Sequence, residues 1–207
     1  MLEELVRRVA EELRLRDRAL DEIMPRARRA RVLSKQAILQ LHGGAIEAAD
    51  ERLSEARGLL DEIKEILRSH PNMRSYEQVS AAREEYAEAS IIHGLTTSGE
   101  FPEPEAVGVP LDSYILGLGD VPGELRRQAL DGLRVGDMAL AEERLGTMES
   151  IYLNLVSMDE APLLKGLRRK MDIARGVIER TRSEITAEAG RRRLDESVRR
   201  LSERLEG

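Results

Sequence analysis

The apolar residues of the first forty positions decide most of what this chain can fold into. Leu2, Leu5, Val9, Leu13, Leu20, Ile23, Ala27, Ala30, Leu33, Ala37 and Leu41 recur at steps of three, four or seven. That period lays one apolar stripe along an α-helix, and a strand, whose side chains alternate, cannot use it. The spacing predicts helix from Leu2 to His42, either one long rod or two pieces bent at Pro25, which removes a backbone donor and crowds the turn before it. Gly43 and Gly44 end the run.

The same rhythm continues to the end of the chain. Ile46, Leu53, Ala56, Leu60, Ile63 and Leu67 carry a second helix to a break at His70 and Pro71, and the short link makes the first two helices antiparallel neighbours. A third helix covers 76–95. Gly99, Pro102, Pro104, Gly108 and Pro110 then mark 97–110 as the longest loop. A fourth helical stretch covers 111–133, where Pro122 implies a kink or a fresh helix start, and a fifth covers 138–155 after Gly136 and Asp137. The last helix is expected to begin near Pro162, a favoured first-turn residue. After Ile185 its apolar phase shifts to Leu194, Val198, Leu201 and Leu205, so the tail faces a different partner or frays. No unit of 20 to 50 residues repeats, which argues against a solenoid. The expectation is an all-α bundle of six to seven helices, one domain spanning 1–207.

Composition narrows the function. With 35% charged and 2% aromatic residues, the core must be aliphatic and the helices solvated on one side. No Cys occurs and no charged-then-apolar leader opens the sequence, so a cytoplasmic location is expected. No run approaches the roughly 20 apolar residues of a membrane span, and no membrane partner is expected. A formal charge of −6 is unlike the basic surface of a duplex-DNA binder, so any nucleic-acid contact must be local. Tyr76, Tyr86, Phe101, Tyr114 and Tyr152 are too scattered for a base-stacking platform, leaving backbone electrostatics to dominate. His42, His70 and His93 share no zinc-ligand spacing.

Two acidic pairs stand out. Glu85 and Glu88 are three residues apart on one face of the third helix, and Asp120 and Glu124 are four apart on the next. Oxygen-only groups converging in a bundle would hold hard cations such as Mg²⁺ or Mn²⁺. Spacing alone leaves the ordinary alternative open, solvated carboxylates in a chain with 39 Asp and Glu.

Glu85-Tyr86-Ala87-Glu88-Ala89 resembles the Glu-Tyr-Val-Glu-Ala motif of translin-associated factor X, in the translin family. The block from Asp112 through Gly117-Leu118-Gly119-Asp120-Val121-Pro122-Gly123-Glu124-Leu125 is similar to its Asp-Tyr-Leu-Leu-Gly-x-Ala-Asp-Leu-Thr-Gly-Glu-Leu segment. Arg16-Asp17, Ser34-Lys35, Leu41-His42, Gly136-Asp137, Ile151-Tyr152 and Lys170-Met171-Asp172 fall in the same order, so the likeness spans nearly the whole chain. It departs at Pro122, where the family has Thr or Ser, and in the shorter 97–110 loop. The resemblance implies a seven-helix fold assembling into closed octameric shells around nucleic acid, here a homo-oligomer with single-stranded RNA, and possibly single-stranded DNA, as partner. It also implies Glu85, Glu88, Asp120 and Glu124 as metal-holding catalytic carboxylates of an Mg²⁺-dependent (or Mn²⁺-dependent) endoribonuclease, with Lys35 and Arg127 as phosphate contacts.

Three other readings remain. A translin-like shell that binds RNA or single-stranded DNA without cutting it would retain intact RNA under any metal. A helical nucleotide pyrophosphatase is suggested by Glu84-Glu85-x-x-Glu88, but that class needs a later Glu-x-x-Asp, whereas Asp120 here precedes Glu124 with one residue more between them. A plain scaffold would show no nucleic-acid affinity. Arg26, Arg28, Arg29 and Arg31 either line an RNA path or solvate an exposed face, and Arg191-Arg192-Arg193, flanked by Glu188, Asp195 and Glu196, reads as a solvated helix.

Overall fold

The computed structural model describes residues 1–70, 73, 76–158 and 163–206. Among these residues every regular element is helical: α1 (Leu2–His42), α2 (Ile46–Ser69), α3 (Glu77–Thr97), α4 (Pro104–Val107), α5 (Leu111–Leu118), α6 (Val121–Val135), α7 (Met138–Val156) and α8 (Leu167–Glu206). Apart from the single turn α4, seven helices make up the all-α fold expected from the periodicity. None of them is long and apolar enough to cross a membrane. The chain divides into two compact units, Met1–Gly117 and Leu118–Gly207.

In the first unit α1 packs along α2, and α3 lies against both. From Ala19 onward the α1 stripe is buried, with Ile23, Ala27, Ala30, Leu33 and Ala37 at or near zero exposure; Ala49, Ala56, Leu60, Ile63 and Leu67 form the matching stripe of α2. Pro25 sits inside α1 without dividing it. The turn to α2 needs Gly44 at φ +74°, a left-handed conformation most residues avoid, and closes with the Ala45 amide donating to the Gln40 carbonyl at 2.9 Å. Arg26 pairs with Glu62 at 2.7 Å and Arg29 with Glu55 at 2.9 Å, so rising numbers on α1 meet falling numbers on α2 and the helices are antiparallel.

The loop after α3 folds back onto its own helix. A Cβ at Gly94 would lie 2.8 Å from the Glu100 carbonyl, so only glycine admits that approach. The Tyr114 hydroxyl, on α5, donates to the Pro102 carbonyl at 2.7 Å and ties the loop down. Arg57 of α2 donates to the carbonyls of Ala106 and Val107 at the end of α4, where orphan acceptors need a partner.

In the second unit α6, α7 and α8 pack on one another around Ala129, Ala141 and Ile185, with Leu133, Met138 and Leu145 at the margin. Gly136 in the left-handed region ends α6, and Asp137 caps α7 by accepting the Leu140 amide at 2.9 Å. Arg126 of α6 donates to Thr181 Oγ1 and Glu184 Oε1 of α8, each at 2.9 Å. Pro162, the expected start of the last helix, lies outside the described residues, and α8 begins at Leu167. Leu194, Val198, Leu201 and Leu205 stand exposed on its far half, as the phase shift implied, and so do Leu2, Leu5, Val6, Val9 and Leu13 at the head of α1.

Candidate functional site

The third helix gives the first half of the candidate site its shape. Tyr86, Ala87 and Ala89 turn inward and are buried, which leaves Glu85 and Glu88 one turn apart on the partly exposed side. Tyr86 is fixed from behind, its phenol lying against the Arg57 guanidinium. Gly117, near the end of α5, presses on the same turn of α3. A Cβ there would sit 2.7 Å from the Glu84 carbonyl, 2.8 Å from Ala87 Cβ and 2.9 Å from the Glu88 amide nitrogen. The glycine of the Leu-Gly-Leu-Gly-Asp segment therefore brings two backbones together at the acidic turn.

Cations from α1 attend Glu85. Lys35 Nζ is 3.2 Å and Arg31 Nη2 3.5 Å from its Oε1. The Glu85 side chain is 20% exposed and that of Lys35 60%, so this is a loose, water-washed cluster whose pairs contribute under about 1 kcal/mol each. The sequence treated Lys35 as a phosphate contact and Glu85 as a metal ligand, whereas the structure brings the two side chains together. Arg127 is exposed and makes no ion pair among the described residues.

In the second unit Asp120 and Glu124 stand one turn apart at the head of α6, both partly buried. Asp120 occupies the N-cap position, where a carboxylate ordinarily accepts the amide of the second or third helical residue. The second residue is Pro122, which has no N–H, and the Gly123 amide donates instead to the Asp120 carbonyl at 2.9 Å. Released from capping, the Asp120 carboxylate accepts a hydrogen bond from Lys170 Nζ of α8 at 2.5 Å, with the Lys170 side chain only 18% exposed. Pro122 thus marks a fresh helix start, and the single stretch expected over 111–133 is two helices. Lys170 is the residue the sequence reading passed over, noted for its order in the chain and given no role.

In the arginine cluster at 26–31 of α1, Arg26, Arg29 and Arg31 contact carboxylates and Arg28 is exposed. Arg191 and Arg192 both reach Glu188, as a solvated helix would have them. His93 Nε2 lies 2.6 Å from Asp50 Oδ1. Among the described residues, neither unit gathers three or more His, Asp or Glu side chains into a group that could hold a metal ion.

No family model matches the chain. Over 161 residues, 75% of this chain and 72% of that protein, it is 29% identical to an uncharacterized protein of Methanocaldococcus jannaschii. Solved structures are more informative. The chain is 34% identical to AfC3PO in its complex with duplex RNA, with a TM-score of 0.78 over 93% of this chain and 98% of that one. AfC3PO in another crystal structure is 35% identical at the same TM-score, over 93% and 99% of the two chains. Apo-NeC3PO is 27% identical, again with a TM-score of 0.78, over 91% and 98%.

Proposed function

The chain belongs to the translin family, and from that premise we propose that it acts on the side of translin-associated factor X, as an RNA-binding protein that cuts single-stranded RNA with the help of a divalent cation. The observation that carries this reading is the turn from Glu85 to Glu88: two partly buried carboxylates on one face of α3, with Tyr86 held behind them and Gly117 pressed against their backbone. A turn braced on both sides holds its side chains in place, as a catalytic site requires.

The donor set suits a hard cation, being all carboxylate oxygen. By the family resemblance Glu85 and Glu88 would hold it, with Asp120 and Glu124 as the further ligands. Mg²⁺ or Mn²⁺ when bound supplies Lewis acidity, which activates water and offsets charge on the phosphodiester. The chain's own cations do the rest. Lys35 and Arg31 sit at 3.2 and 3.5 Å from Glu85, longer than a tight charge-assisted hydrogen bond, so they exchange readily between carboxylate and RNA phosphate. Lys170 holds Asp120 in one orientation. Arg127, exposed and without an ion pair among the described residues, adds a phosphate contact.

The exposed apolar stripes at the head of α1 and the tail of α8 support self-assembly, since a lone soluble helix seldom leaves that many large side chains in water. We take the assembly to be a homo-oligomeric shell, an octamer by family resemblance.

The test is cleavage of labelled RNA with Mg²⁺ or Mn²⁺, with and without EDTA, beside the Glu85→Ala/Glu88→Ala double variant. The AfC3PO complex contains duplex RNA, so single-stranded and duplex substrates are run together. Cutting that needs both metal and carboxylates is the expected result. Cutting that survives in the double variant would overturn the assignment, and a gel shift with intact RNA would leave a binding shell.

A further inference from the structure

Arg57 has no place in the proposed chemistry, yet its guanidinium joins three elements of the first unit behind the acidic turn. Asp61, one turn on in α2, accepts from its Nε at 3.3 Å and steadies the planar fork. Nη1 donates to the carbonyls of Ala106 and Val107, the last residues of α4. The same guanidinium lies against the phenol of Tyr86, buried in α3 and placed in the sequence between Glu85 and Glu88. The 97–110 loop comes close to meet it. Gly108 closes α4 at φ +72°, and a Cβ there would lie 2.7 Å from both Cζ and Nη1 of Arg57, so glycine lets the backbone rest directly on the guanidinium. Nearer its start, the same loop is tied by the Tyr114 hydroxyl to the Pro102 carbonyl.

Tyr86 makes this contact matter to the carboxylates. The side chains of Glu85, Tyr86 and Glu88 leave one helical turn, so that turn cannot rotate without carrying all three. At the radius of about 5–6 Å that a helix has with its side chains, a rotation of about 10° moves a carboxylate by about 1 Å. A misplacement of that size costs a reaction about a hundredfold in rate. Gly117 bears on the backbone of the turn, whereas Arg57 bears on the end of the Tyr86 side chain, the longer lever against rotation. A lysine at this position would keep the charge but lose the planar fork that serves acceptors on several elements at once.

We infer that Arg57 is a positioning residue, through which the 97–110 loop sets the aim of Glu85 and Glu88. Its effect on cleavage rests on the nuclease reading of that turn; the coupling of loop to turn does not. Two measurements on the full chain test it, at a temperature where circular dichroism shows each variant folded: steady-state cleavage of labelled single-stranded RNA with Mg²⁺, and amide hydrogen exchange across 83–92 in EDTA. The variants are Arg57→Gln, Arg57→Lys and Gly108→Ala, the last displacing the guanidinium without removing it. Arg68→Gln, which loses a solvated contact with Glu65 on the same helix, is the control. Arg57→Gln is expected to lower kcat about 10- to 100-fold with KM for RNA within about twofold, and to speed exchange across 83–92 about tenfold. Arg57→Lys should not rescue either reading, Gly108→Ala should move both the same way, and Arg68→Gln should move neither. Faster exchange with kcat unchanged makes Arg57 a brace for the fold alone and overturns the assignment, as does unchanged exchange in both Arg57→Gln and Gly108→Ala. If the wild type cuts no RNA, the nuclease reading fails, and the exchange result by itself upholds or overturns the coupling.

Discussion

Replacing Gly117 by alanine tests how the acidic turn is held. The added Cβ would meet the Glu84 carbonyl at 2.7 Å, which is 0.7 Å inside the 3.4 Å where ordinary contact begins, with Ala87 Cβ and the Glu88 nitrogen nearly as close. Two of these three atoms are backbone, so no rotamer change relieves the clash and α5 must move off α3. Overpacking of this kind costs about 1–3 kcal/mol. Alanine returns up to about 1 kcal/mol as the better helix former, since Gly117 lies in α5. The net loss is about 1–2 kcal/mol, or roughly 2–8 °C in melting temperature for a chain of this size. Gly123 is the control: it lies in α6, where a Cβ meets nothing within 4 Å, so Gly123→Ala should leave stability unchanged or raise it by up to about 1 kcal/mol. Circular dichroism melts of both variants read the difference. If Gly117→Ala melts at or above the wild type, the close approach does not hold the acidic turn and the reasoning fails.

Two further predictions concern single contacts. Burial, and then the nearby Glu103 carboxylate, push the Tyr114 phenol above its usual value of 10, so the folded state holds that proton more tightly than the unfolded chain. Its contribution is whole below pH 10 and is lost as pH rises through the raised value. Melts from pH 8 to 11 should show this alkaline loss; Tyr114→Phe should remove that component at a cost of about 1 kcal/mol near neutrality, from the hydrogen bond to Pro102. Pro122→Ala restores an amide at the second position of α6, which Asp120 can then cap, competing with Lys170 by about 0.5–2 kcal/mol. A double-mutant cycle of Asp120→Asn with Lys170→Met should therefore show a smaller coupling in the Pro122→Ala background; an undiminished coupling refutes the account.

Most helix boundaries were legible because they are set locally. The Gly43–Gly44 pair ends α1 at His42, and Gly136 followed by Asp137 separates α6 from α7. At 118–121 the sequence leaves a kink or a fresh helix start open at Pro122, and the structure takes the second, with α5 ending at Leu118 and α6 starting at Val121. Leu118-Gly119-Asp120-Val121-Pro122 holds a stop residue, a cap residue and a first-turn proline in order, the local signals that select the fresh start. α4 was written just as locally, in Pro104 at its start and Gly108 at φ +72° after its end, and was absorbed into the loop because it is a single turn.

The candidate site divides along the same line. That Glu85 and Glu88 share a face follows from their spacing alone, since a helix fixes where residues three apart point. Which cations stand beside them does not follow, because Lys35 and Glu85 are separated by 50 residues and Asp120 and Lys170 by 50 more, and no local rule pairs such positions. One signal was nevertheless present in the sequence. An aspartate directly before a helix is normally occupied by capping, but the residue two places on is Pro122, which offers it no amide. A carboxylate denied its cap, partly buried at the head of α6, must find a positive partner elsewhere. Pro122, the position at which this chain departs from the family pattern, is therefore what turns Asp120 from a helix-capping residue into one available to a cation, first to Lys170 and, on the proposed reading, to a metal.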